Sequence, residues 1–436
     1  MKSLQLKLLF IFLVCLFGNQ NLFSKKLEDV QFGKILKEIR ISGARVTDRD
    51  IITRELASRV GEPYTKKSAE KDFARLDNLD IFSKLEIHPV EEQDGIVLNI
   101  DVREITPYLP FFTWEVTDEN GFAGGPGLQS VNFLGRDVFV TGLARFGGAT
   151  NFGLFIQDPW IAGNHLSYTL EVNQRDRAND LDDFNEISTE IDLRISSYLG
   201  EHGRIGGGFS FLSIKSDSAG LLLADDNRDN LPTFSFFMGY DNRDLWSNPH
   251  RGGWNEIELS KGGGFLGADN DYWALNVDIR RYIPLIDRHT LALFSLLTLR
   301  TGDVGDEISP VEDFHIGGTN SVRGWEVGSR GGGKNQFVST AEYRVTVVKP
   351  RLLNLFVLSL DVGLELAAFG DLGIVWNDND PFDTDNFIGG YGFGLRFLVP
   401  FVNQFRIDFA FGEPGESIRL HLGAFTKPVA QRFRIR

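Results

Sequence analysis

The residues with the most chemical potential in this chain lie in the stretch Gly317-Gly318-Thr319-Asn320-Ser321-Val322-Arg323-Gly324-Trp325. A lone arginine stands there, followed by a glycine and a tryptophan, inside a glycine-rich connection running from roughly Gly302 to Asn335. Glycines let a backbone pass through a tight space. A guanidinium held in such a space demands a carboxylate that fits its planar fork. Two acids further along the chain can answer it: Glu342 in Ala-Glu-Tyr-Arg and Asp371 in Phe-Gly-Asp-Leu-Gly. The chemistry implied is an ion pair that pins a loop, not the making or breaking of bonds. No glycine loop of phosphate-binding type opens a helix, no Gly-x-Ser-x-Gly elbow is present, and no histidine pair has zinc spacing. His421 reads as a structural group. Asp378, Asp380, Asp383 and Asp385 share one polar segment, which lacks the glycine and terminal glutamate of a calcium-binding hand and reads as a solvated acidic loop. The expectation is a protein that is not an enzyme, with no metal and no cofactor.

The elements that would position Arg323 are legible from periodicity. From Tyr108 onward, apolar and polar residues alternate with a period of two. Ile187, Thr189, Ile191, Leu193 and Ile195 oppose Glu186, Ser188, Glu190, Asp192 and Arg194, and Phe405, Ile407, Phe409 and Phe411 oppose Arg406 and Asp408. Segments of about ten residues with one charged face and aromatics near their ends mark strands that turn an apolar face to lipid and a polar face to a lumen. Roughly sixteen such segments are counted, an even number as bacterial outer-membrane barrels require. Long polar connections, 175–185, 216–230, 302–335 and 377–386, follow odd-numbered strands, whereas 134–137, 199–203, 284–288 and 399–402 are short. That asymmetry is expected of external loops and periplasmic turns, and it makes the arginine loop the sixth external loop.

Composition agrees. The 436 residues carry 47 glycines, 37 phenylalanines and 12% aromatic residues, which suits many short strands. A net charge of −15 argues against nucleic-acid binding. Lys2 and Lys7 precede an apolar run from Leu8 to Phe17, too short to span a bilayer and right for a signal peptide over residues 1–24. The single cysteine, Cys15, falls inside that segment, so the exported chain needs no disulfide.

Residues 34–105 read differently. Strands are expected at Lys34–Ser42, Phe82–Pro89 and Ile96–Glu104, the last two joined around Asp94-Gly95. Helices are expected at Asp50–Ser58, capped by Thr47 or Asp48, and at Thr65–Leu79. The order is β-α-α-β-β. The fold class is therefore mainly β: an antiparallel transmembrane β-barrel of about sixteen strands over 106–425, one small mixed domain before it, and a tail at 426–436.

The small domain resembles a POTRA domain through Glu38-Ile39-Arg40-Ile41-Ser42-Gly43, the Gly61…Tyr64 turn and Ile81-Phe82-Ser83-Lys84-Leu85. The remainder resembles the BamA/TamA family of outer-membrane assembly proteins over nearly its whole length. The carrying residues are Gly127-Leu128…Asn132-Phe133-Leu134-Gly135-Arg136, Asp241-Asn242-Arg243-Asp244…Pro249…Gly252, Val322-Arg323-Gly324-Trp325, Glu342-Tyr343-Arg344, Phe369-Gly370-Asp371-Leu372-Gly373 and Gly394-Leu395-Arg396-Phe397. The resemblance implies an outer-membrane location with the POTRA domain in the periplasm. It also implies a sixth loop folded into the lumen, with Arg323 meeting Glu342 and Asp371, and a loose seam between the first and last strands, where Gly423 and Phe425 lie. The implied partners are the lipid bilayer, unfolded barrel or secreted clients received by the POTRA domain, and periplasmic or lipoprotein subunits. Assisted insertion, assembly or translocation of other proteins follows. A passive or secretion pore, and a surface antigen that only keeps the fold, are the other two readings.

Overall fold

The computed structural model describes residues 32–423, apart from positions 80, 93–94, 118–119, 164, 180–183, 219, 246–247, 356–357, 379, 381–385, 400–402 and 416–417. The expected signal peptide, the tail at 426–436 and Phe425 lie outside the described residues.

The N-terminal domain is built as β1 (Leu36–Ser42), α1 (Arg49–Glu55), α2 (Lys66–Asp77), β2 (Phe82–Glu92) and β3 (Gly95–Glu104). Both helices start where side chains satisfy free backbone donors. Asp48 accepts from the Asp50 amide, and Thr65 and Ser68 form a reciprocal capping box. The sheet order is β1-β3-β2, with β1 parallel to β3 and β2 antiparallel to it. The helices cover one face of this sheet and seal a core of Leu36, Ile52, Leu56, Tyr64, Leu76, Leu98 and Ile100. Each such aliphatic side chain stabilises the domain by roughly 1.5–3 kcal/mol relative to exposure. Buried Asp72 ties the helices together by accepting from the Ala57 and Ser58 amides at 2.6 and 3.1 Å.

The rest is one antiparallel sheet of sixteen strands. They are β4 (Tyr108–Thr117), β5 (Gly121–Phe133), β6 (Val138–Gly147), β7 (Thr150–Ala162), β8 (Leu166–Ala178), β9 (Asn185–Leu199), β10 (Gly203–Ser216), β11 (Arg228–Asp241), β12 (Gly252–Gly263), β13 (Asp271–Pro284) and β14 (His289–Arg300). A short hairpin, β15 (Phe314–Ile316) and β16 (Arg330–Gly333), stands apart inside the sixth loop. Then come β17 (Asn335–Leu355), β18 (Leu358–Trp376), β19 (Ile388–Val399), β20 (Asn403–Phe411) and β21 (Arg419–Gly423). Each barrel strand pairs with its neighbour in sequence, and β14 pairs with β17 across the sixth loop.

The period-two pattern sorts as its chemistry requires. Phe234, Phe236, Met238 and Tyr240 of β11 are exposed on the outer wall, whereas Glu256, Asp278, Glu342, Arg396 and Asp408 are buried on the inner one. Among the described residues, β4 pairs only with β5 and β21 only with β20, so the two ends of the sheet are not hydrogen-bonded to each other.

The small domain is docked against the periplasmic turns. The Asp48 amide donates to the Gly135 carbonyl at 2.9 Å. Asn132 Nδ2 donates to Thr47 Oγ1 at 2.8 Å, while its Oδ1 accepts from the Asp137 amide at 2.7 Å. Gly135 has φ +73°, and a Cβ there would lie 2.0 Å from the Val46 carbonyl oxygen. Glycine is required at this contact. Beside it, Arg54 lies over Trp160, Trp160 packs on His165, His165 on Tyr198, and Arg204 over Tyr198, forming one continuous stack across the joint.

Candidate functional site

The sixth loop does not spread into solvent. It turns back into the barrel and brings Val322-Arg323-Gly324-Trp325 against the inner wall of β17–β20. Gly317 and Gly318, at φ +116° and +88°, make the turn. Ser321 holds it, its Oγ bonding both the amide and the carbonyl of Gly317 at 2.8 Å. Val322 is fully buried with Ile316, Val338 and Ile388.

Arg323 is 3% exposed. Its Nε and Nη2 donate to the two oxygens of Asp371 at 2.7 and 2.8 Å, a bidentate fork, and its own amide donates to the same carboxylate at 3.1 Å. Nη1 reaches Asp408 at 3.0 Å and Glu342 at 3.4 Å. The guanidinium plane lies 3.4 Å from the centre of the Phe369 ring, a cation–π contact that strengthens away from water. The expected partners Glu342 and Asp371 both lie within bonding distance, Asp371 being the closer.

Around this pair the wall supplies more charge than the sequence reading named. Arg396 Nη2 donates to Glu342 at 2.6 Å, and its Nη1 to Asp408. Arg344 Nε donates to Glu342 at 2.7 Å, and Thr340 Oγ1 to Asp371 at 2.9 Å. Arg406 stands 3.7 Å from Asp408 and donates to the Thr319 carbonyl of the loop. Among the described residues, four guanidiniums thus interleave with three carboxylates. Desolvation of each charge is costly, and the network repays it only because nearly every oxygen and nitrogen has a partner.

Gly324 has φ +88°, and a Cβ there would lie 2.4 Å from the Phe411 carbonyl carbon. Its amide donates to His421 Nε2 at 2.9 Å. With Nε2 accepting, the ring proton sits on Nδ1, which faces Thr319 Oγ1 at 3.0 Å. His421 of the last strand, a structural group as its place in the sequence suggests, is thus a ligand of the loop. Trp325 Nε1 donates to the Gly389 carbonyl at 2.8 Å, and the Glu413 amide to the Gly324 carbonyl at 3.0 Å. At the outer mouth, Lys334 is buried and donates to Asp378 and to the Gly302 carbonyl, both at 2.6 Å. Asp378 is therefore an ion-pair partner of the loop base, and Asp383 and Asp385 lie outside the described residues. Gly423 pairs with Arg406 at the end of β21.

Asp408, Arg396 and Arg344, not named as partners of the loop, each occupy an inward position of an alternating strand, and Arg344 and Arg396 also lie in motifs that carry the resemblance. What the arrangement can do is mechanical. It fixes a loop inside a lumen by charge and shape.

A sheet of sixteen antiparallel strands with an apolar outer wall, a charged plugged interior and one small domain at its periplasmic end defines a POTRA-bearing outer-membrane barrel. The Omp85 superfamily domain matches residues 132–424, and the surface antigen variable number repeat, a POTRA domain, matches residues 35–105. The chain belongs to the Omp85 superfamily, with its barrel in the outer membrane and its POTRA domain in the periplasm. It is 24% identical to the outer membrane protein assembly factor BamA of Nitratidesulfovibrio vulgaris over 91% of its length, and spans 51% of that protein. It is 33% identical to the chloroplastic outer envelope protein 80 of Arabidopsis thaliana, over 29% of this chain and 16% of that one. Among solved structures, BamA of Haemophilus ducreyi lacking POTRA domains 1–3 shares the fold with TM-score 0.56 and 17% identity, covering 88% of this chain and 83% of that one. CdiB of Acinetobacter baumannii does so with TM-score 0.56 and 16% identity, covering 90% and 72%.

Proposed function

We propose that this protein assists the insertion, assembly or translocation of other polypeptides at the outer membrane, without covalent chemistry. The observation that carries the reading is the pair of sheet ends, β4 and β21, which among the described residues are not paired with each other. A strand edge with free amides and carbonyls is a template for another strand, and in a bilayer such groups go unsatisfied unless a partner covers them. Val322, Arg323, Gly324 and Trp325 are the functional loop motif in this reading, Glu342 and Asp371 its luminal partners. Gly423, at the end of β21, belongs to the seam in this reading. Residues 34–105 receive the client and residues 106–425 deliver it. The Arg323 network supports this division of labour. It anchors the loop to β17–β20 and, through His421, to β21, so the wall beside the seam is held. A plugged lumen weighs against a passive pore.

Depletion of the protein in its own cells, with quantification of folded outer-membrane barrels, tests the proposal. A broad fall with precursors accumulating in the periplasm is the expected result for general assembly. Loss of one or two exported proteins would assign dedicated secretion. Unchanged levels of all of them would overturn the proposal.

A further inference from the structure

Two cavities meet at the turn Gly200–Glu201–His202, at the periplasmic end of β9 and β10. The first, of about 490 Å³, is a trough on the outer wall lined by Leu199, Gly203, Met238, Tyr240, Asn255 and Ile257. Strand register explains it. Leu199 faces Gly203, Gly203 faces Tyr240, and Tyr240 faces Asn255, in one row across four strands. Gly203 leaves the backbone bare in the middle of that row, because a Cβ there would lie 2.3 Å from the Leu199 carbonyl oxygen. Met238 and Ile257, both about half exposed, form the wall above.

The second cavity, of about 510 Å³, lies between POTRA helix α2 and the barrel rim. Charged side chains from both sides of the joint stand in its lining, beside apolar surface from Ala74, Leu79 and Tyr198. Helix α2 contributes Lys67, Glu70, Lys71 and Arg75, and the turns contribute Glu201, His202 and Asp244. Glu201 and His202 line both cavities. Both volumes fall in the ~300–1,000 Å³ range of small-molecule sites.

An apolar trough on the lipid-facing wall that continues across one turn into a mixed-charge cavity at the water interface matches an amphiphile. The bilayer itself supplies one. The charge pattern selects its headgroup. Lys71 and Glu201 form an ion pair across the joint, with Lys67 one helical turn before Lys71. A group bearing both a phosphate and an ammonium can replace each half of that pair, the phosphate meeting the lysines and the amine meeting Glu201. A purely anionic headgroup would leave Glu201 opposed. We propose that a diacyl phospholipid of the periplasmic leaflet with a phosphoethanolamine headgroup binds here. One acyl chain lies in the Gly203 trough and the headgroup lies beneath helix α2. Such a lipid bridges the POTRA domain to the barrel wall far from the seam, and makes the seating of the domain responsive to leaflet composition.

The test uses the full chain reconstituted in phosphatidylethanolamine vesicles containing a trace of the same lipid with a photoactivatable diazirine on one acyl chain. Peptide mass spectrometry then locates the adducts. The expected result is labelling at Leu199, Met238, Tyr240 and Ile257 about fivefold or more above Ile283 and Tyr343, lipid-facing residues elsewhere at the periplasmic end; this corresponds to about 1 kcal/mol of preference. The double substitution Lys67→Glu, Lys71→Glu, in the α2 residues that line the cavity, should remove that excess and leave labelling at Ile283 and Tyr343 unchanged. A phosphoglycerol photolipid should show a smaller excess. Even labelling around the wall, an excess indifferent to the lysine reversal, or equal labelling by the two headgroups would each overturn the proposal. None of these readouts depends on whether the protein assembles clients.

Discussion

Replacing Arg323 by alanine strands Asp371 and part of Asp408 in a buried, charged wall, because Arg323 provides the two-point fork on Asp371. Breaking a buried pair from one side typically costs about 3–5 kcal/mol. We expect Arg323→Ala to lower the midpoint of heat-induced unfolding, read from the shift between folded and unfolded mobility on gels. Arg323→Lys should recover only a minor part, since an ammonium cannot form the planar fork. An unchanged midpoint in the alanine variant would show that the loop is not pinned. Shape matters at the same scale. A Cβ at Gly390 would lie 1.8 Å from the Arg323 carbonyl oxygen. Gly390→Val should therefore expel the loop without touching any charge, and protease added outside the cell should cut within 317–325 in the variant and not in the parent.

At the scale of elements, the joint between the POTRA domain and the first periplasmic turn is close backbone packing rather than a flexible linker. Gly135→Val drives a side chain into the Val46 carbonyl at a positive φ. It should free the domain, measured as a broadened distance distribution between spin labels on α2 and on the 285–288 turn, with barrel heat-stability unchanged. The stack beside it predicts a pH dependence. Burial, with help from Arg204, Arg75 and Arg54, pushes the His165 imidazole down to about 3. Its folded value lies below its unfolded one, so its contribution is present above the ordinary value of ~6.5 and is lost as pH falls from there toward 3. Spin-label distances should broaden on acidification through that window. His165→Phe, which stacks without titrating, should flatten the response; an identical pH response in both proteins would remove His165 as its cause.

For the molecule as a whole, the plugged lumen and the unpaired sheet ends make opposite forecasts about what passes. With the sixth loop docked, conductance of the purified protein in planar bilayers should be small and noisy. It should rise several-fold in Gly390→Val, where the loop is displaced and the wall charges remain. A large steady conductance in the parent protein would favour a pore. If the proposed function holds, the barrel should add a client strand at β4 or β21, detectable as site-specific photocrosslinks from those strands to nascent barrel chains.

The approximate number of strands, the β-α-α-β-β order and the parity of long and short connections were open to reading in the sequence, because each depends on local spacing: a period of two, a cap, a turn. The lone arginine among glycines was visible for the same reason, and so were acids able to answer it. Which residues complete the network was not. Asp408, Arg396 and Arg344 converge on Arg323 and Glu342 only because β17 to β20 lie side by side and the loop between β14 and β17 folds inward. Many inward positions along the chain carry a charge, so alternation alone cannot choose among them. His421 likewise becomes a ligand of Gly324 only when the last strand reaches the loop. Alternation makes a strand; it does not say where the sheet ends meet, because pairing of β4 and β21 depends on the curvature and register accumulated over every strand between them. Local chemistry determined what the pieces are, and tertiary structure decided which charges share a space.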